Sequence, residues 1–156
     1  MARPQVPGFD TRKAHQYFAA TCFNKAWELI EKADRTPAED EEMIRLSQAS
    51  IYHWTQREDF KTSNLSIGYW QASRICSILG RSDEARRYGE LCLENSPVEE
   101  PFLRAYAYEA LARAERVAGN ASLSAEHRDE AMRIANAVTD AEDRKALLAD
   151  LETIGL

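Results

Sequence analysis

The chain is poor in everything that interrupts a helix. Of its 156 residues six are Gly and five are Pro, and so few breakers favour long helices joined by brief turns over a sheet with many reversals. Cysteine is scarce as well. Cys22, Cys76 and Cys92 are odd in number, widely spaced and never in a C-x-x-C pair, a usage that argues against a disulfide framework and for a reducing compartment. No apolar stretch reaches the roughly 18 to 20 residues needed to span a bilayer, and Met1 to Asp10 holds no apolar segment of the secretory type. The expectation is a cytoplasmic protein with no membrane partner.

Positive charge is also short. Lys and Arg number 20 against 26 Asp and Glu, for a net charge of −6, so a broad phosphate-binding surface is disfavoured and nucleic acid is not the expected partner. No two Gly are adjacent or two apart, which removes G-x-G-x-x-G and the phosphate-cradling loops built on it. His15, His53 and His127 lie in no H-E-x-x-H and none follows a Glu by three residues, so the zincin and di-iron bundle motifs are missing and no metal or cofactor is expected. The three cysteines sit among apolar neighbours at helical spacing, the pattern of core packing and not of a nucleophile.

What is present is an ordinary globular composition, 44% hydrophobic and 29% charged, with enough chain for one domain and one core. Residues 1–9, with Pro4, Pro7 and Gly8, read as a lead-in, and 10–156 as a single helical domain. A first helix is expected from about Thr11 to Ala33 after a cap at Asp10 or Thr11, where Phe18, Cys22, Ala26 and Leu29 recur every three or four positions. Thr36, Pro37 and Glu39 form an N-cap, a first-turn proline and a capping-box acid for a second helix reaching Gln56. The third, about Ser63 to Leu79, carries one charge, Arg74. A helix without a polar face belongs at the centre of the fold. Gly80 closes it, a fourth helix runs from Ser82 to Asn95, a fifth from Val98 or Pro101 to Ala118 before Gly119, a sixth from Ser122 to Val138, and a seventh from Thr139 or Asp140 onward.

A shift of 39 residues lays Tyr69 to Gly80 over Tyr108 to Gly119, matching Tyr69 with Tyr108, Ser73 with Ala112, Arg74 with Arg113 and Gly80 with Gly119. A period between 20 and 50 residues marks stacked helix pairs. Tyr69, Ser73, Gly80, Ala85, Cys92 and Pro97 have the spacing of a tetratricopeptide repeat, a family that the chain resembles over about two thirds of its length. In the second copy Tyr108, Leu111, Ala112, Gly119 and Ala131 fit, while Ser124 stands in place of the usual Ala and no Pro closes the unit. The resemblance implies an all-α fold, a short right-handed solenoid of antiparallel helix pairs with six or seven helices. It also implies a scaffold that binds a protein or peptide in the groove lined by the first helix of each pair, and no enzyme.

Helical periodicity places Ile67, Trp70, Arg74 and Ile78 on one stripe of the third helix, with Tyr69, Ser73 and Cys76 on another facing the fourth. The shift carries the first stripe to Tyr106, Glu109, Arg113 and Val117. If both stripes line one face, Trp70, Arg74, Tyr106, Glu109 and Arg113 are the candidate ligand-binding residues, since guanidiniums match carboxylates in a planar fork and aromatic rings stack on ligand side chains. Equally open is an internal network in which Glu109 pairs with Arg113 one turn away and with Arg74 across the helices. His53, Trp54 and Asn64, beside the connection into the third helix, could join either arrangement. Two other functions fit the same residues: a small-molecule sensor with a pocket at Trp70, Arg74 and Glu109, and a homo-oligomer covering the apolar ends of a short stack.

Overall fold

The computed structural model describes residues 8–155, so the expected lead-in falls mostly outside the described residues; Gly8 and Phe9 form an exposed bend. The described residues form seven helices and no strand: α1 (Thr11–Glu31), α2 (Pro37–Thr55), α3 (Thr62–Ile78), α4 (Ser82–Glu94), α5 (Pro101–Val117), α6 (Ala121–Ala135) and α7 (Ala141–Glu152). None is long and apolar enough to cross a membrane.

Local chemistry sets the ends. Asp10 accepts from the backbone N–H of Arg12 and Lys13 and starts α1. Thr36 and Glu39 exchange hydrogen bonds in a complete capping box, with Pro37 at the first helical position of α2. Asp140 accepts from Glu142 and Asp143 and starts α7. At the ends of α3 and α5 the chain reverses through Gly80 and Gly119, at φ 72° and 82°, where a side chain would be strained. The N–H of Arg81 then reaches the Cys76 carbonyl at 2.8 Å and that of Asn120 the Glu115 carbonyl at 2.9 Å. These turns are equivalent under the 39-residue shift, atom for atom.

The helices pack in pairs, α1 with α2, α3 with α4 and α5 with α6. Each pair is antiparallel: His15 meets His53 and Ala19 meets Ser50, while Ser66, Tyr69 and Ser73 meet Cys92, Tyr88 and Ala85 in reverse order. Adjacent pairs join through α2 on α3, α4 on α5, and α3 on α5. The small residues Gly68 and Gly89 allow the close approaches: a Cβ there would come within 2.8 Å of Ile51 and 2.9 Å of Leu111. The central place expected for α3 is the one it occupies, with Ser66, Gly68, Gln71, Ala72, Ser73, Ile75, Cys76 and Ser77 all buried.

The α5–α6 pair reproduces the α3–α4 pair with its polarity redistributed. The Ser73 hydroxyl donates to the Ala85 carbonyl at 2.8 Å, and at the equivalent positions the Ser124 hydroxyl donates to the Ala112 carbonyl at 2.8 Å. Ser124 is therefore no defect in the pattern; the serine and alanine have changed helices. The stacked rings of Tyr69 and Tyr88, 6.0 Å apart, become Tyr108 and His127, also 6.0 Å apart. The buried trio Ser66, Cys92 and Ser96 becomes Ala105, Ala131 and Ala135. On the α5–α6 pair α7 and the turn after it lay Leu147, Leu151 and Ile154, completing the largest apolar cluster among the described residues. The sixth helix stops at Ala135 and not at the expected Val138, because Ala137 and Val138 turn back onto the carbonyls of Ile134 and Ala135. Val138 extends the apolar periodicity yet plugs the core from a turn.

Candidate functional site

The stripe on α3 and its copy on α5 meet across the α3–α5 contact, and all five candidate residues come together. Glu109 is fully buried, and both of its oxygens are taken. Oε2 accepts from Trp70 Nε1 at 2.9 Å; Oε1 accepts from Arg113 Nε at 2.9 Å and Nη2 at 2.5 Å and from Arg74 Nη1 at 3.3 Å. A buried carboxylate is tolerated only with such a set of charged donors. Burial depresses the proton affinity of Arg74, and the like charge of Arg113 adds to that against the pull of Glu109.

Two participants come from α7 and its C-cap, which the sequence pattern did not connect to the site. Asp150 accepts from the Tyr106 hydroxyl at 2.9 Å, its carbonyl accepts from Arg113 at 3.0 Å, and Thr153 accepts from Arg113 at 2.8 Å. Burial, then the adjacent Asp150 carboxylate, pushes the Tyr106 phenol far above its usual range, so it stays protonated and donates. The network holds two guanidiniums and two carboxylates and ties α3, α5 and α7 together.

The expected shared face is thereby divided. Glu109 is an internal partner and not a surface residue, whereas Trp70 and Tyr106 line a cavity of about 240 Å³ with Ser66, Ile67, Phe102 and Leu103. The Ser66 hydroxyl is occupied by Ser96 at 2.7 Å, so this wall is carbon. Ile67, which is 41% exposed, also borders a second cavity of about 230 Å³ between α1 and α3, with Phe23, Trp54 and Asn64. Trp27 of α1 packs on Trp70 at 5.4 Å between ring centres. The two cavities share Ile67 and lie side by side along α1, α3 and α5, the first helices of the three pairs. Arg74 and Arg113 face a third cleft, beside Ser77, Ile78 and Val117.

His53, Trp54 and Asn64 do not join the Glu109 network. His53 pairs with His15, Nδ1 to Nδ1 at 2.8 Å. Asn64 caps α3 by accepting from the Lys61 N–H at 2.8 Å. Trp54, half-buried and not a core residue, is covered by the Arg57 guanidinium at 4.0 Å. A further ion pair lay outside the pattern: Arg86 of α4 binds the buried Glu115 of α5 through both oxygens, at 2.5 and 3.0 Å, and Asn120 donates to the same carboxylate. These bonds, the Arg86 one foremost, hold the Glu115 carboxyl below its usual range. Only the identity of Glu115, acidic where the first copy has Cys76, could have signalled it.

All three cysteines are free and buried. Burial raises the thiols of Cys76 and Cys92 to about 11, the reverse of an activated nucleophile. No group of three or more His, Cys, Asp or Glu side chains that could hold a metal occurs among the described residues.

Compared with known protein families, with characterised proteins and with solved structures, the chain has no significant match.

Proposed function

We propose that this chain is a tetratricopeptide-like solenoid that works by binding a protein or peptide segment, not by catalysis, in the groove that these two cavities form along α1, α3 and α5. The observation that carries the reading is the pair of apolar cavities meeting at Ile67. Each is smaller than the roughly 300 to 1,000 Å³ of sites that enclose a whole small molecule, which speaks against the sensor alternative and suits single side chains of an extended ligand. The Glu109 network beneath holds Trp70 and Tyr106 at fixed orientations, so little rotamer freedom is lost on binding.

The test is selection from a displayed peptide library on the intact protein, followed by Ile67→Glu. Ile67 is exposed enough for the variant to fold, and a carboxylate at the junction of the cavities should abolish capture of peptides with apolar anchors while leaving the unfolding midpoint unchanged. Binding that survives Ile67→Glu, or a library yielding no ligand, would overturn the proposal.

A further inference from the structure

We infer that the cavity between α3 and α5 is an aromatic box for a quaternary or methylated ammonium group. Three of its walls are rings at steep angles: Trp70 and Tyr106 lie 5.2 Å apart at 75°, and Phe102 and Tyr106 5.0 Å apart at 75°. Rings so disposed do not stack face to face, and all three line the one cavity, where ring faces attract a cation through their quadrupoles.

The polar atoms of the two amphipathic rings point elsewhere. The Trp70 N–H goes to Glu109 and the Tyr106 O–H to Asp150, each at 2.9 Å. A ring that donates to a carboxylate gains electron density, and its face becomes more attractive to positive charge. At the α5 end of the cavity Glu99 and Glu100 precede the helix and offset its positive pole. Arg74 and Arg113, the cations beside Trp70, are paired with the Glu109 carboxylate.

The wall offers a ligand almost no acceptor, because its one aliphatic hydroxyl, Ser66, is 1% exposed and bonded to Ser96. A lysine ammonium or a guanidinium would leave its N–H groups unpaired there, at the cost of their desolvation. A methyl-shelled ammonium carries charge with few donors or none, is weakly hydrated and needs only the rings. The space of about 240 Å³ suits such a head group and the first atoms of its carrier. The inference rests on the groove reading where the carrier is a methylated lysine of a peptide, and on the cavity alone where it is a free choline-like molecule.

The experiment titrates the intact protein with choline, with its neutral carbon isostere dimethylbutanol, and with one peptide in trimethyllysine and unmodified lysine forms, following tryptophan fluorescence and calorimetric heat. Choline or the trimethylated peptide should bind at least about tenfold more tightly than its uncharged or unmethylated counterpart. Phe102→Leu, which keeps an apolar side chain and removes a ring, should lose that preference without loss of helicity. Choline binding as well as the peptide points to a small-molecule source, and peptide binding alone to a modified protein. Equal affinity for choline and dimethylbutanol would overturn the aromatic box while leaving the apolar groove standing. Silence towards every charged probe, with apolar peptides still captured, would do the same.

Discussion

Glu109 has two guanidinium partners of unequal weight. Arg113 gives it two bonds, at 2.9 and 2.5 Å, and continues to Asp150 and Thr153, whereas Arg74 makes one contact at 3.3 Å. Removing Arg113 breaks a buried pair and releases α7, so Arg113→Ala should cost about 3 to 5 kcal/mol. Arg74→Ala removes one charged hydrogen bond and leaves Glu109 paired, for about 1.5 to 3 kcal/mol. Denaturant unfolding of the two variants checks the order, and equal losses would mean that Arg74 carries more of the pair than its geometry shows. The sequence made both guanidiniums visible because they repeat at 39 residues, but not their inequality, which is decided by α7. At the other end of the stack, His15 and His53 touch through ring nitrogens that share at most one proton. Burial first, and then the His15 charge, lowers the proton affinity of His53. With a folded pKa below the unfolded value near 6.5, its contribution is intact above that value and falls as pH drops through it towards the folded pKa. The thermal midpoint should therefore decline as pH falls from about 7 through about 6.5, and His53→Phe should flatten that decline. An unchanged slope would show that His53 does not titrate in this window.

Helix by helix, what could be read in advance was what a helix settles within its own turns. The capping box at Thr36, Pro37 and Glu39, the caps at Asp10 and Asp140 and the glycine reversals at Gly80 and Gly119 depend on neighbours within a few residues. The end of α6 was misplaced because Val138 is apolar in phase, and phase alone does not say whether a buried residue is helical. The exchange of serine and alanine between copies was legible only as a mismatch. The two units predict a rescue. Ser73→Ala should lose about 1 kcal/mol with its hydrogen bond. Adding Ala85→Ser, which recreates the arrangement of Ala112 and Ser124, should restore most of it. Failure of the double variant to recover would mean that the two helix pairs are not equivalent in backbone spacing. Gly89→Ala tests another contact. Its Cβ would lie 2.9 Å from the Leu111 Cδ2 atom and 3.2 Å from its Cγ, so the Leu111 side chain, itself buried, must shift. The overpacking cost of about 1 to 3 kcal/mol should outweigh the roughly 1 kcal/mol that alanine gains over glycine within a helix.

Across the whole molecule, two polar ties bind the pairs into one body: the Glu109 network joining α3, α5 and α7, and Arg86 with Glu115 joining α4 and α5. Each spans 29 or more residues, a distance at which sequence pattern carries no register, and this is why Asp150, Thr153 and Arg86 went unread. Stacks of helix pairs can melt piecemeal when their interfaces are weak; here the interfaces are ionic as well as apolar, and the core of α5, α6 and α7 is continuous with them. The three tryptophans report on this directly, because Trp27, Trp54 and Trp70 all lie in α1, α2 and α3, while far-ultraviolet circular dichroism reads every helix. The two probes should give coincident denaturant transitions. Leu151→Ala, at a fully buried position of α7, should lower stability by about 2 to 5 kcal/mol and shift the fluorescence midpoint by as much as the dichroism midpoint, although no tryptophan lies in α7. If the variant instead loses helicity early while its fluorescence transition stays where it was, then α5 to α7 unfold as a separate unit and the polar ties do not couple the stack.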